Sequence, residues 1–153
     1  EYAMSLKENL CRCGIYCGQC WAYHAVIPKT ASTLKEMIVK DLSYLRDTDL
    51  DFDFDEFVQN LDYFAKMEPC KGRNEETTWC DVKKCPRIKN DEVDNCLLCE
   101  SFAECERTEY VRGRYSYLFD YVKIIQEKGL EAYLQEEEKK ARDGVRLPDI
   151  RDY

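Results

Sequence analysis

The sequence has 153 residues, of which 44% are hydrophobic and ten are cysteine, enough for one core and too few for two. Thirty-one acidic against twenty-three basic residues leave a formal net charge of -8 before any thiolate is counted, which argues against a phosphate-binding, nucleic-acid-facing surface. No run approaches the about 20 consecutive apolar residues of a membrane span, and no basic, then apolar, then small-residue order marks a secretion signal, so a cytoplasmic protein with no membrane partner is expected.

The chain opens on its densest cysteine cluster, Cys11-Arg-Cys13-Gly-Ile-Tyr-Cys17-Gly-Gln-Cys20. Gly14 and Gly18 each follow a cysteine, where free backbone rotation lets amides turn toward sulfur. After Pro28, a capping-box pattern at Thr33 and Glu36 predicts a helix over about 32–46, with Leu34, Met37, Ile38, Leu42 and Leu45 as a core-facing stripe. The acidic stretch from Asp47 to Asp55 lacks the central glycine and closing glutamate of a calcium loop. Asp51 or Asp53 is instead expected to cap a second helix, about 53–67, that buries Phe54, Phe57, Val58, Leu61 and Phe64.

From Glu68 to Glu106 the periodicity fades and six cysteines appear, so this stretch needs something other than helix packing to hold it. Two helices are predicted to finish the chain, over about 108–128 and 130–142, with Gly129 between them. Their stripes are Tyr115, Leu118, Phe119, Val122 and Ile125, then Leu130, Tyr133, Leu134 and Ala141. The charge run from Glu136 to Lys140 reads as a solvated helix face. No internal repeat is present, and the whole chain, 1–153, reads as one domain with cysteine-rich loops at 11–24 and 68–106.

Ten cysteines could make five disulfides, but such frameworks rescue domains too small for a core, and cysteines crowded this closely suit tetrahedral metal sites better. Zinc takes four thiolates, and a CxxC turn supplies two of them. Cys17 with Cys20 and Cys96 with Cys99 have that spacing, and Cys80 and Cys85 form a wider pair. One expected site is therefore Cys80, Cys85, Cys96 and Cys99; the other is Cys13, Cys17 and Cys20, completed by Cys105 or Cys70. Cys11 reads as a spare or outer thiol, with a reactive cysteine beside Arg12 as the alternative. His24 is a candidate fourth ligand, though cysteines are already in excess. Because it is the only histidine, a His-based acid–base pair is excluded. Trp21, Tyr23, Trp79 and Phe102 lie beside cysteines, either as ordinary core or as a wall between metal and water.

Thiolate ligation does not by itself choose between zinc and an iron-sulfur cluster, so the latter stays as the alternative cofactor. The CxxxCxxC spacing of Cys13, Cys17 and Cys20 resembles that of radical enzymes of the S-adenosylmethionine type. Gln19 stands where those enzymes usually place an aromatic residue, and 153 mostly helical residues cannot supply their partial barrel.

Taken together, Cys13-Gly-Ile-Tyr-Cys17-Gly-Gln-Cys20-Trp-Ala-Tyr23, Cys70-Lys-Gly72, Trp79-Cys80, Cys85, Cys96-Leu-Leu-Cys99-Glu-Ser-Phe102 and Cys105 resemble domain-of-unknown-function family 3795. These are small prokaryotic proteins usually described as cysteine-rich and credited with zinc binding. The tail, Gly129-Leu-Glu-Ala-Tyr-Leu with Leu147-Pro-Asp-Ile-Arg151, is similar to their helical ending. Two positions depart from the pattern: Arg73 stands where a CxGC element would place a second thiol, and Trp21 stands where proline is usual. The resemblance implies metal binding and no reaction.

The expected fold is mainly α, with helices packed around cysteine-rich metal-binding loops and room for a short β-hairpin at a zinc knuckle. Three roles fit: a binding or regulatory module for a protein or small-molecule partner, with structural zinc; an iron-sulfur redox or sensor protein; and a small zinc enzyme with an open coordination position. The first is preferred, because no catalytic constellation is visible.

Overall fold

Helix α1 runs Val26–Asp41, earlier than the capping pattern predicts. The computed structural model of the chain describes residues 6–146. It places Ala25 in the left-handed region, φ 53°, as the lead-in, and Pro28 in the first turn, where a missing N–H costs nothing. Thr33 and Glu36 therefore lie inside the helix instead of at its start. A 3-10 turn over Ser43–Asp47 leads to α2, Phe54–Ala65. Its cap is Asp53, whose carboxylate accepts the Glu56 N–H at 2.8 Å.

α1 and α2 pack mainly on each other. Arg46 pairs with Asp55 at 2.9 Å and lies over the Phe54 ring, and Lys35 pairs with Asp62. The two predicted stripes contribute nothing to the central core cluster. Only Ala31 and Phe54 are buried; Ile38, Leu45, Val58 and Leu61 are half-buried; Leu34, Met37, Leu42, Phe57 and Phe64 are exposed.

The cysteine-rich middle holds only short elements: a 3-10 turn over Val82–Lys84, the single turn of helix α3 (Pro86–Lys89), and 3-10 turns over Cys96–Leu98 and Glu106–Thr108. The helix predicted over 108–128 is two helices, α4 (Glu109–Arg114) and α5 (Leu118–Lys128). Between them Tyr115 leaves helical geometry, at φ -125° and ψ 71°, and its ring enters the core while Trp21 donates to its hydroxyl. Gly129, at φ 86°, separates α5 from α6, Leu130–Arg142.

The core lies where the N-terminal loop, the middle loops and α4 to α6 meet, around Leu10, Tyr16, Val82, Leu97, Leu118 and Tyr133. Among the described residues there is no β-strand, and the expected hairpin reduces to one antiparallel bridge between Leu10 and Tyr16. No helix among them is long and apolar enough to cross a membrane.

α6 packs on the first cysteine turn through the charge run expected to be solvated. Gln19, fully buried, donates to the Glu137 carboxylate and, at 3.2 Å, to its backbone carbonyl; Glu137 is itself buried and pairs with Lys140 at 2.7 Å. Tyr16 donates to Glu138 at 2.6 Å. These acids are anchors with partners, which is the form in which charge tolerates burial.

Candidate functional site: two groups of cysteine thiols

All ten cysteines are free thiols. The two CxxC spacings fold alike. Cys17–Gln19 and Cys96–Leu98 are both 3-10 turns, closed by Cys20 N–H to Cys17 O and Cys99 N–H to Cys96 O, each at 3.1 Å. The closing cysteine is extended in both, at φ -77°, ψ 118° and φ -85°, ψ 126°. Cys85 closes the Val82–Lys84 turn in the same manner.

The first group centres on Cys11. Its sulfur accepts hydrogen bonds from the thiols of Cys13, Cys17 and Cys70, which hold its pKa well below the usual thiol range. The same contacts with Cys11, together with burial, push Cys13, Cys17 and Cys70 up, and burial pushes Cys20 up. Backbone amides also face these sulfurs: Cys13 N–H toward Cys11, Ile15 N–H toward Cys13, those of Ala22 and Tyr23 toward Cys20, and Gly72 N–H toward Cys70. Amide donors favour a thiolate over a thiol, so the loop backbone is arranged for negative sulfur. Gly72 reaches this position at φ 80°, a conformation that favours glycine. Lys83, buried, brings its ammonium to 3.8 Å from Cys70 Sγ.

The second group is Cys85, Cys96, Cys99 and Cys105, which line a cavity of ≈ 30 Å³ beside Phe102. Burial, then the nearby sulfurs of Cys105, Cys99, Cys85 and Cys80, push Cys96 up to about 12. Arg87 Nη1 stands 3.5 Å from Cys99 Sγ.

Spacing and structure divide the cysteines differently. Cys105 joins Cys85, Cys96 and Cys99, and Cys80 instead lines a cavity of ≈ 300 Å³ together with Cys11, Cys13, Cys20 and Cys70. Cys11 is central, not peripheral, and the Arg12 guanidinium turns away from it to Asp94 O at 2.9 Å and Asp91 at 3.1 Å. Cys70 lies in the first group although its CxGC partner is missing. In the partner's place, Arg73 ties Leu10 O at 2.8 Å and Asp94 at 2.6 Å, bracing the loop by ordinary hydrogen bonds. His24 Nε2–H donates to Gly18 O at 2.9 Å, a structural tie within the first cluster. Of the flanking aromatics, Phe102 is core, Trp21 and Trp79 line the larger cavity, and Tyr23 is exposed.

The donor chemistry, soft sulfur facing amides and flanked by Lys83 and Arg87, suits a thiophilic cation. The sulfurs are neighbours and not a finished cage: among the described residues no group of three or more His, Cys, Asp or Glu is placed to hold a metal ion. Lys83, Arg73 and the Gln19–Glu137 pair carry no sequence signal of their roles, since each depends on partners distant in the chain.

The family model described as "Protein of unknown function (DUF3795)" matches residues 9–110, which include every cysteine and stop short of α5 and α6. No protein of curated function and no solved structure matches the chain.

Proposed function

Since the chain belongs to the DUF3795 family of proteins of unknown function, its role rests on its own side chains, and we propose a zinc-binding module whose thiolates staple the loops that shape a binding surface. One observation carries this: eight thiols gather in two groups of four, Cys11, Cys13, Cys17, Cys70 and Cys85, Cys96, Cys99, Cys105, within loops that have only short turns to order them. Zinc bound to four thiolates supplies folding free energy, on the order of 10 kcal/mol per closed site, where helix packing supplies little. Bound zinc would take these cysteines as thiolates, their protons going to solvent, and Lys83 and Arg87 would offset part of the negative charge that results.

The test is elemental analysis of untagged protein purified without oxygen, followed by chelation. Zinc at about two per chain, with helical circular dichroism lost on chelation, supports the reading. An unchanged spectrum after verified metal removal rejects it. A brown protein absorbing near about 400 nm replaces zinc with an iron-sulfur cluster on the same thiols.

A further inference from the structure

The larger cavity has a composition the stapling role does not need. Its ≈ 300 Å³ is bounded by Trp21, Ile27, Met67, Trp79, Tyr110 and Tyr115 as well as by cysteines. The volume lies at the small end of the range that holds organic ligands, roughly 300 to 1,000 Å³. Flat aromatic walls favour a flat aromatic guest, which stacks or meets ring edges at little entropic cost.

Apart from the cysteines, two ionic side chains border the cavity, Glu68 and Arg114. Glu68 is neutralised locally: its carboxylate accepts from Thr78 N at 3.0 Å and from the Thr78 hydroxyl, and pairs with Lys71 at 3.0 Å. Arg114 is not. It lies 5.2 Å from the Trp21 ring centroid and 5.8 Å from that of Tyr115, and bonds the Tyr115 hydroxyl, but among the described residues no carboxylate pairs with it. In a chain of net charge -8, an exposed guanidinium left without an acid at an apolar cavity is a receptor for an anion.

We propose that this cavity binds a small planar aromatic carboxylate, with the ring system between the aromatic walls and the carboxylate on Arg114. The proposal goes beyond metal binding, and metal content is measured on the same sample so that the two readings fail separately.

The probe is 2-naphthoate, titrated calorimetrically into the protein as purified, with 2-naphthalenemethanol as the uncharged counterpart. The expected result is one site per chain that prefers the carboxylate. Arg114→Gln should weaken naphthoate about tenfold or more, the worth of a hydrogen bond to a charged partner, and leave the alcohol unchanged. Ala22→Trp, which fills the cavity from its lining, should abolish both. Should Arg114→Gln fail to fold, added sodium chloride on the unaltered protein serves instead, lowering affinity for naphthoate and not for the alcohol. No binding at about 1 mM naphthoate, far weaker than a fitted pocket gives, equal affinity for the two probes, or an Arg114→Gln effect on neither or both, overturns the proposal.

Discussion

Lys83 and Cys70 meet inside the protein: the ammonium stands 3.8 Å from the sulfur, with the remaining donors on Glu75 O at 2.6 Å and Thr77 Oγ1 at 3.1 Å. Replacing Lys83 by Met keeps the aliphatic stem but removes the bonds to Glu75 O and Thr77 Oγ1, leaving the latter only the Lys71 N–H at 3.3 Å. The expected cost is about 2 kcal/mol in urea unfolding, the worth of hydrogen bonds from a charged donor. A change below about 0.5 kcal/mol would mean that the lysine is not structural.

Gly14 has φ 91°, and a Cβ there would run into the Leu97 side chain. Gly14→Ala therefore combines backbone strain with overpacking and is expected to cost about 2 to 4 kcal/mol. Gly113, within α4, has nothing within 4 Å of an added Cβ. There alanine should stabilise by about 0.5 kcal/mol, since it restricts the unfolded chain at no steric cost. Thermal melts of the two variants should move in opposite directions.

Asp53→Ala removes the side-chain acceptor of the Glu56 N–H in the first turn of α2. A loss of about 1 kcal/mol is expected, with Asp53→Asn retaining most of it. Equal losses for the two variants would show that the cap does not act through its hydrogen bond.

Glu138 is held below the usual carboxylate range by the Tyr16 hydroxyl and then by Arg142. A depressed folded pKa contributes stability that is full above the unfolded value, about 4.3, and is lost as pH falls through the folded value. Glu138→Gln should thus be less stable at neutral pH, by about 1 kcal/mol, and should flatten the stability profile below about pH 4. A profile that keeps its full slope in the variant would assign the acid sensitivity elsewhere.

The sequence makes some of this architecture legible. Asp53 as a cap, Gly129 as a break and the CxxC turns each follow from chemistry within four residues. What it hides is long-range. Spacing says that Cys96 and Cys99 form a pair, but only the packed loops bring Cys105 to them and turn Cys80 toward the other side. Periodicity finds the helices α1 and α2, yet cannot say that they pack on one another and leave half of the expected core stripes, Leu34, Met37, Leu42, Phe57 and Phe64, exposed. The Glu136 to Lys140 run looks solvated because Gln19 and Tyr16, which receive it, lie more than a hundred residues upstream.

Cys96 N–H donates to Arg12 O at 2.8 Å, and Leu97 presses on Gly14, so the strands of loop carrying the two thiol groups are fastened back to back. Order gained on one side is passed to the other through this joint and through the bonds of Arg12 and Arg73 to Asp94. A titrating cation should accordingly meet an all-or-none response: native mass spectra taken midway would contain empty and doubly filled chains, with the singly filled form scarce.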